Sequence, residues 1–129
     1  MPKIALTLAA LAGLAGGGGV ILAALAAHGG GGPQLETAAN FLMLHAAATL
    51  AVCGLALAAP RRGGQFLGAA AIFLLGSLLF CGDLSMRTLA AAKLFPMAAP
   101  IGGTLLVLGW AWVAAASVLA LPPREPREH

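Results

Sequence analysis

A chain of 129 residues that is 60% hydrophobic and 9% charged, with a mean hydropathy of +0.96, has too little polar surface to cover a water-soluble globule. Its net charge of +3 lies in short segments flanking apolar runs, so there is no basic face for nucleic acid and that class of partner is not expected. The solvent that suits such a chain is a lipid bilayer, and the sequence reads as one all-α domain spanning it.

The first apolar run, Ile4 to Ala27, contains no Asp, Glu, Lys or Arg. About 17–25 residues rising ~1.5 Å each cross a hydrocarbon core of roughly 30 Å. A transmembrane helix is therefore predicted over residues 4–28. Met1-Pro2-Lys3 before it and Ala24-Leu25-Ala26 near its end also fit a cleaved signal peptide, but the run exceeds a usual signal core and reads as a retained helix. Gly13, Gly16, Gly17, Gly18 and Gly19 lie in its middle, and Gly13 with Gly17 makes a small-xxx-small pair of the kind that lets another helix approach closely. A phosphate-binding glycine loop is disfavoured, since no Lys-Ser/Thr ending follows and the surroundings are apolar.

The second and third runs, Phe41 to Ala59 and Phe66 to Gly82, predict helices over 40–59 and 66–83. Pro60-Arg61-Arg62-Gly63-Gly64 between them is a short break that makes them antiparallel neighbours. The next connection, Asp83 to Pro100, carries Arg87 and Lys93 among Leu, Met, Ala and Phe. It is predicted to lie along the outer interface as a short amphipathic turn, its cations reaching the headgroups. Pro100 suits the first turn of a fourth helix, predicted over 100–121. Gly76, Gly102, Gly103 and Gly109 give the third and fourth helices their own points of close approach. Residues 122–129 are polar and predicted to be a disordered tail.

These runs do not alternate polar and apolar residues as barrel strands do, and helices satisfy their own backbone hydrogen bonds where water is absent. An up-down bundle of four helices follows. Lys3, Arg61, Arg62, Arg124 and Arg127 fall on one side of it and Arg87 and Lys93 on the other. That imbalance predicts cytoplasmic termini and an outward first loop.

Polar side chains within the runs are the candidates for function, because intramembrane polarity is costly. His28 ends the first helix, and His45 is expected one to two turns below Asn40 in the second. Antiparallel packing would bring the two histidines together, with Glu36, Asn40 and Asp83 at the same level. The expectation is an outer polar cluster of His28, Glu36, Asn40, His45 and Asp83. The simplest role is a neutral histidine that donates to a backbone carbonyl of the next helix. Proton, metal or haem chemistry is the alternative, although two histidines with only Asp83 and Glu36 nearby make a poor metal set. No metal or cofactor is expected. Cys53 and Cys81 fall at opposite depths and read as packing residues. Trp110 and Trp112, two apart on one helix, face different ways, so at least one should meet lipid or a partner.

The segments "AALAAHG", "NFLMLHAAATL", "LLGSLLFCGDL" and "AAPIGGTLLVLGWAWVAAA" occur in an order that resembles the domain of unknown function 423 family, whose eukaryotic relatives include the transmembrane protein 256-like proteins. Ala27-His28-Gly29, His45-Ala46, Pro100-Ile101-Gly102-Gly103 and Gly109-Trp110 carry the resemblance most specifically. It implies a small four-helix protein of a bacterial inner membrane and brings no activity with it. The first loop departs from the expected pattern, being short and glycine-rich.

A catalytic set is not legible: Ser77, Ser85 and Ser117 have no base and orienting group in a recognisable arrangement. Export coupled to protons through a carboxylate in the first helix, as in the small multidrug exporters, is disfavoured because Thr7 is the polar side chain of that run. The expectation is thus a non-catalytic structural, accessory or assembly component in the bilayer, packing with itself as a homo-oligomer or with a larger membrane complex. The alternative is a small channel or transporter with an outer histidine-containing vestibule, and a metal- or haem-binding redox protein stands behind both.

Overall fold

The computed structural model describes residues 1–126. Helix α1 runs Pro2–His28, α2 Gly32–Ala58, α3 Gly63–Leu89 and α4 Ala98–Leu119, with a 3-10 turn Pro60–Arg62 before α3. All four helices are long and apolar enough to cross a membrane, and no strand occurs among the described residues. The protein is a four-helix membrane bundle with up-down topology.

Helix ends follow from local chemistry. Pro2 and Pro33 occupy the first turns of α1 and α2, where a missing N–H leaves no intrahelical bond unmade. Between them Gly30 and Gly32 adopt left-handed φ of 71° and 69°, which lets the chain reverse over three residues. Consequently α2 begins at Gly32, well before the expected residue 40. The segment read as first loop is largely helical, because nothing after Pro33 interrupts a helix that already has a hydrophobic anchor in the fully buried Leu35.

Helix α3 likewise continues past residue 83 to Leu89, and α4 stops at Leu119 rather than 121. The long connection predicted from 83 to 100 shrinks to residues 90–97. It holds bends and a turn. Arg87, expected to reach the headgroups, belongs to α3 and pairs with Asp83. The tail is irregular over 122–126; the part of that expectation on residues 127–129 lies outside the described residues.

The helices form an arc. α1 packs on α2, α2 on α3 and α3 on α4, while α1 and α4 share no packed interface. α3 is the most buried helix and α1 the least. The core lies along α3, where Phe66 and Phe73 meet Val52 and Ala56 of α2 and Leu106 of α4.

Glycines set the close contacts, and only some of those expected to pack do so. Gly102 and Gly76 face each other across α3 and α4, a Cβ on Gly102 falling 2.8 Å from the Gly76 carbonyl oxygen. Gly109 receives the Phe73 ring, where a Cβ would stand 2.8 Å away. Gly103 and Gly16 make ordinary contacts, at 3.6 Å to Phe80 and 3.5 Å to Ala46. On α1 the tight position is Gly19, against Met43 and Ala39 of α2. Gly13 and Gly17 pack against nothing: space around both is open. The predicted small-xxx-small pair thus turns outward, because the residues one helical face away hold α1 to α2.

Candidate functional site

Along α2 the residues His45, Ala46, Thr49, Val52, Cys53 and Ala56 are buried, a spacing of three and four that makes one buried stripe, in which Ala46 meets Gly16 of α1 and His45 meets Phe73 of α3. His45 is 3% exposed. Its Nδ1 lies 2.8 Å from the Phe41 carbonyl oxygen one turn back, and its Nε2 lies 3.1 Å from the indole nitrogen of Trp110 on α4.

Those partners assign the tautomer. A carbonyl oxygen only accepts, so Nδ1 carries the hydrogen; an indole N–H only donates, so Nε2 offers its lone pair. The ring is a neutral imidazole with both nitrogens satisfied. The expected donation to a carbonyl occurs within α2 itself, and the interhelical bond is one that His45 accepts. Thr49 completes the column by donating to the His45 carbonyl at 2.7 Å.

An aromatic box surrounds the ring. Phe73 of α3 and Trp110 of α4 meet His45 edge-on at 5.5 Å and 5.9 Å between centroids, and Phe41 stacks at 5.8 Å. Phe73 also touches Trp110 at 4.9 Å, and Phe41 touches Phe80 at 5.0 Å. These separations lie within the range where ring quadrupoles attract beyond area burial. Trp110 therefore reaches from α4 across the α3 flank to α2, two helices with no extensive interface of their own.

The structure does not assemble the predicted cluster. Because α2 starts at Gly32, His45 sits thirteen residues down the helix, more than three turns at ~3.6 residues per turn. It is still one to two turns below Asn40, but Asn40 is itself inside α2, so His45 lies near the helix middle rather than near its outer end. His28 is exposed at the end of α1, and neither His45 nitrogen is left to bind it.

Asp83 lies ten residues beyond Phe73 on α3, about 15 Å of rise at ~1.5 Å per residue, so it does not meet the histidine that Phe73 touches. Its fully buried carboxylate accepts from Arg87 Nε at 2.8 Å and from the Leu94 backbone N–H at 3.0 Å. Asp83 thereby ties the 90–97 connection to α3. Glu36 and Asn40 line a cavity of about 240 Å³ with Ala23, Ala26 and Ala27 of α1. Gln34 accepts from Thr88 at 3.4 Å, joining the first turn of α2 to the last of α3.

Polar groups thus occupy three separate places: a deep His45–Trp110 pair, an outer Asp83–Arg87 latch, and a Glu36–Asn40 pocket between α1 and α2. Among the described residues no group of three His, Cys, Asp or Glu could hold a metal ion. Cys53 and Cys81 are both buried and free. Trp112 donates to Gln65 at 2.9 Å, with Gly68 beneath its ring, yet remains 39% exposed, and Trp110 is 45% exposed. Trp110 pairs its N–H with the buried His45, whereas the Trp112–Gln65 bond lies at the exposed surface of the bundle.

The partners of His45 were not named by the sequence. Phe41 stands four residues away and was within reach of helical spacing, whereas Trp110 is 65 residues distant and carries no local signal. Arg87 was legible as an i,i+4 partner of Asp83.

With this geometry in view, comparison with known proteins places the chain. The family described as "Protein of unknown function (DUF423)" matches residues 22–103. The chain belongs to that family. It is 32% identical over 85 residues to the UPF0382 inner membrane protein YgdD of Escherichia coli (strain K12), covering 65% of this chain and 63% of that protein. It is 35% identical over 83 residues to a UPF0382 membrane protein of Haemophilus influenzae, covering 64% of each. The chain thus spans a little under two thirds of the length of these relatives. No solved structure matches. The matched region runs from the last turns of α1 to the start of α4; it contains His28, His45 and Asp83 and stops short of Trp110.

Proposed function

We propose that this protein is a non-catalytic accessory or structural component of a bacterial inner membrane, packing through its outward helix faces with a second copy or with a larger membrane complex. The observation that supports this reading best is the open face of α1. Gly13 and Gly17 leave a strip without side chains on the least buried helix, where another helix could approach to backbone distance.

The His45 environment is consistent with it. Both ring nitrogens are committed to fixed partners, Phe41 has no proton to pass on, and the indole N–H is not an acid in this range. His45 therefore acts as an interhelical peg. The channel reading required His45 in an outer vestibule with His28 and Asp83, and the deep aromatic enclosure does not favour it.

Purification from the native membrane in a mild detergent, with mass spectrometry of the intact assemblies, tests the reading. A reproducible oligomer or larger complex that Gly13→Leu/Gly17→Leu disrupts, with α-helical content unchanged, is the expected result. A monomer under all such conditions overturns it.

A further inference from the structure

Asp83 is fully buried, yet both groups it binds lead out of the protein. Its Oδ2 accepts from Nε of Arg87 at 2.8 Å, and its Oδ1 accepts at 3.0 Å from the backbone N–H of Leu94, the residue after Lys93. Among the described residues, Arg87 and Lys93 are the Lys and Arg side chains at this end of the bundle, opposite the 60–62 turn. One carboxylate thus holds the first by its side chain and the second by its neighbouring backbone.

The pairing leaves Arg87 most of its binding capacity. Nε is engaged, but Nη1 and Nη2 make no hydrogen bond among the described residues, and neither is buried. The side chain as a whole is 34% exposed. A guanidinium sets its N–H groups in one plane, so the bond at Nε orients those that remain free. Lys93 is exposed and has no acidic partner among the described residues. Two cations against one carboxylate leave a positive charge unbalanced.

The segment that carries Lys93 has a fixed shape. Ala91 and Met97 adopt left-handed φ of 49° and 72°, a strain that the first loop avoids by placing Gly30 and Gly32 at such angles. Side chains persist there only where surrounding bonds over-determine the backbone, and the Asp83–Leu94 bond is one of these. Leu89, Leu94, Phe95 and Met97 flank the cations in the chain and are exposed. Apolar side chains beside cations suit the boundary between hydrocarbon and headgroups. Helix α3, with 27 residues rising ~1.5 Å each, is longer than a core of roughly 30 Å, so its last turn, with Arg87, stands at headgroup level.

We propose that Arg87 and Lys93 bind the phosphate of an anionic phospholipid, with Asp83 as the positioning residue behind them. The free N–H groups of Arg87 suit phosphate oxygens, and Lys93 adds a point charge. The single negative charge of a phosphodiester balances the one left over. A zwitterionic headgroup brings its own cation and does not.

The test uses the full chain in detergent, titrated with phosphatidylglycerol or phosphatidylcholine, with bound lipid counted by intact-complex mass spectrometry. Phosphatidylglycerol should bind saturably and more tightly than phosphatidylcholine, and equimolar inorganic phosphate should not displace it. Lys93→Ala and Arg87→Ala should each weaken it about fivefold, as for a cation near an anionic surface. Arg87→Lys should not restore binding, because an ammonium paired with Asp83 has no planar fork left to offer. Asp83→Asn keeps an oxygen for the Leu94 N–H and adds one positive charge to the site. Simple attraction would then tighten binding, whereas loss of positioning weakens it, and weakening is expected. Arg61→Ala/Arg62→Ala, at the opposite end, should leave the site unchanged. Equal binding of phosphatidylcholine, indifference to Lys93→Ala or tighter binding by Asp83→Asn overturns the proposal, and displacement by inorganic phosphate overturns its assignment to a lipid. Lys93 lies outside the helices, so its variant decides even if Arg87→Ala fails to fold.

Discussion

The indole N–H of Trp110 donates to Nε2 of His45 at 3.1 Å, and Phe73 fills the angle between the two rings. This bond connects α4 to α2 although both pack chiefly on α3. In a bilayer there is no hydrophobic drive between helices, so bonds and close packing of this kind hold the arrangement.

Removal of either partner should loosen the pairing of α4 with the rest. A double-mutant cycle of His45→Ala and Trp110→Phe is expected to give a coupling of about 1 kcal/mol, within the range found for interhelical bonds in membranes. Unfolding in mixed micelles reads it. Nitrogen-15 spectra of labelled histidine should show the Nδ1–H tautomer at His45, and a dominant Nε2–H form would contradict the assigned bonds.

Glycines on the two ends of the arc should respond oppositely. Gly102→Ala places a methyl against the Phe80 backbone and the Gly76 carbonyl and should cost about 1–3 kcal/mol through overpacking. Gly13→Ala meets nothing within the monomer and should be neutral or stabilising by up to about 1 kcal/mol, as for alanine over glycine in a helix. Equal effects at the two positions would place the α3–α4 contact elsewhere.

Asp83 holds the connection between α3 and α4 through the Leu94 N–H. Asp83→Ala should raise deuterium uptake at Leu94 and neighbouring amides while leaving the middle of α3 protected. Arg87→Ala removes only the charge partner and keeps the Leu94 bond, so its effect there should be smaller. A reversed order would show that the ion pair, not the backbone bond, fixes the segment.

The basic residues of the 60–62 turn predict a cytoplasmic position for it. In a Cys53→Ala/Cys81→Ala background on intact cells, an impermeant maleimide should label Glu36→Cys and spare Arg62→Cys. The opposite pattern would invert the bundle.

Much of the fold was legible because a bilayer imposes one simple requirement on sequence, a run of apolar residues long enough to span it. Helix ends were less so. Gly32 to Ala39 contain Gln34, Glu36 and Thr37, which hydropathy reads as loop, yet Pro33 and the buried Leu35 start the helix there. That shift alone moves His45 from the outer level to mid-helix and separates it from His28 and Asp83.

Composition and the absence of charge from four runs determined that this chain is a helical membrane protein, since backbone hydrogen bonds in lipid leave little choice. Spacing of three and four along α2 determined that His45 shares a face with Thr49 and Val52. Tertiary structure alone decided which of several glycine-bearing faces met a neighbour, that Gly19 and Gly102 are contacts whereas Gly13 and Gly17 are open, and that a tryptophan 65 residues away completes the bonding of His45. Small residues permit close approach on any side of a helix, and only the three-dimensional fit of whole helices selects the side that is used.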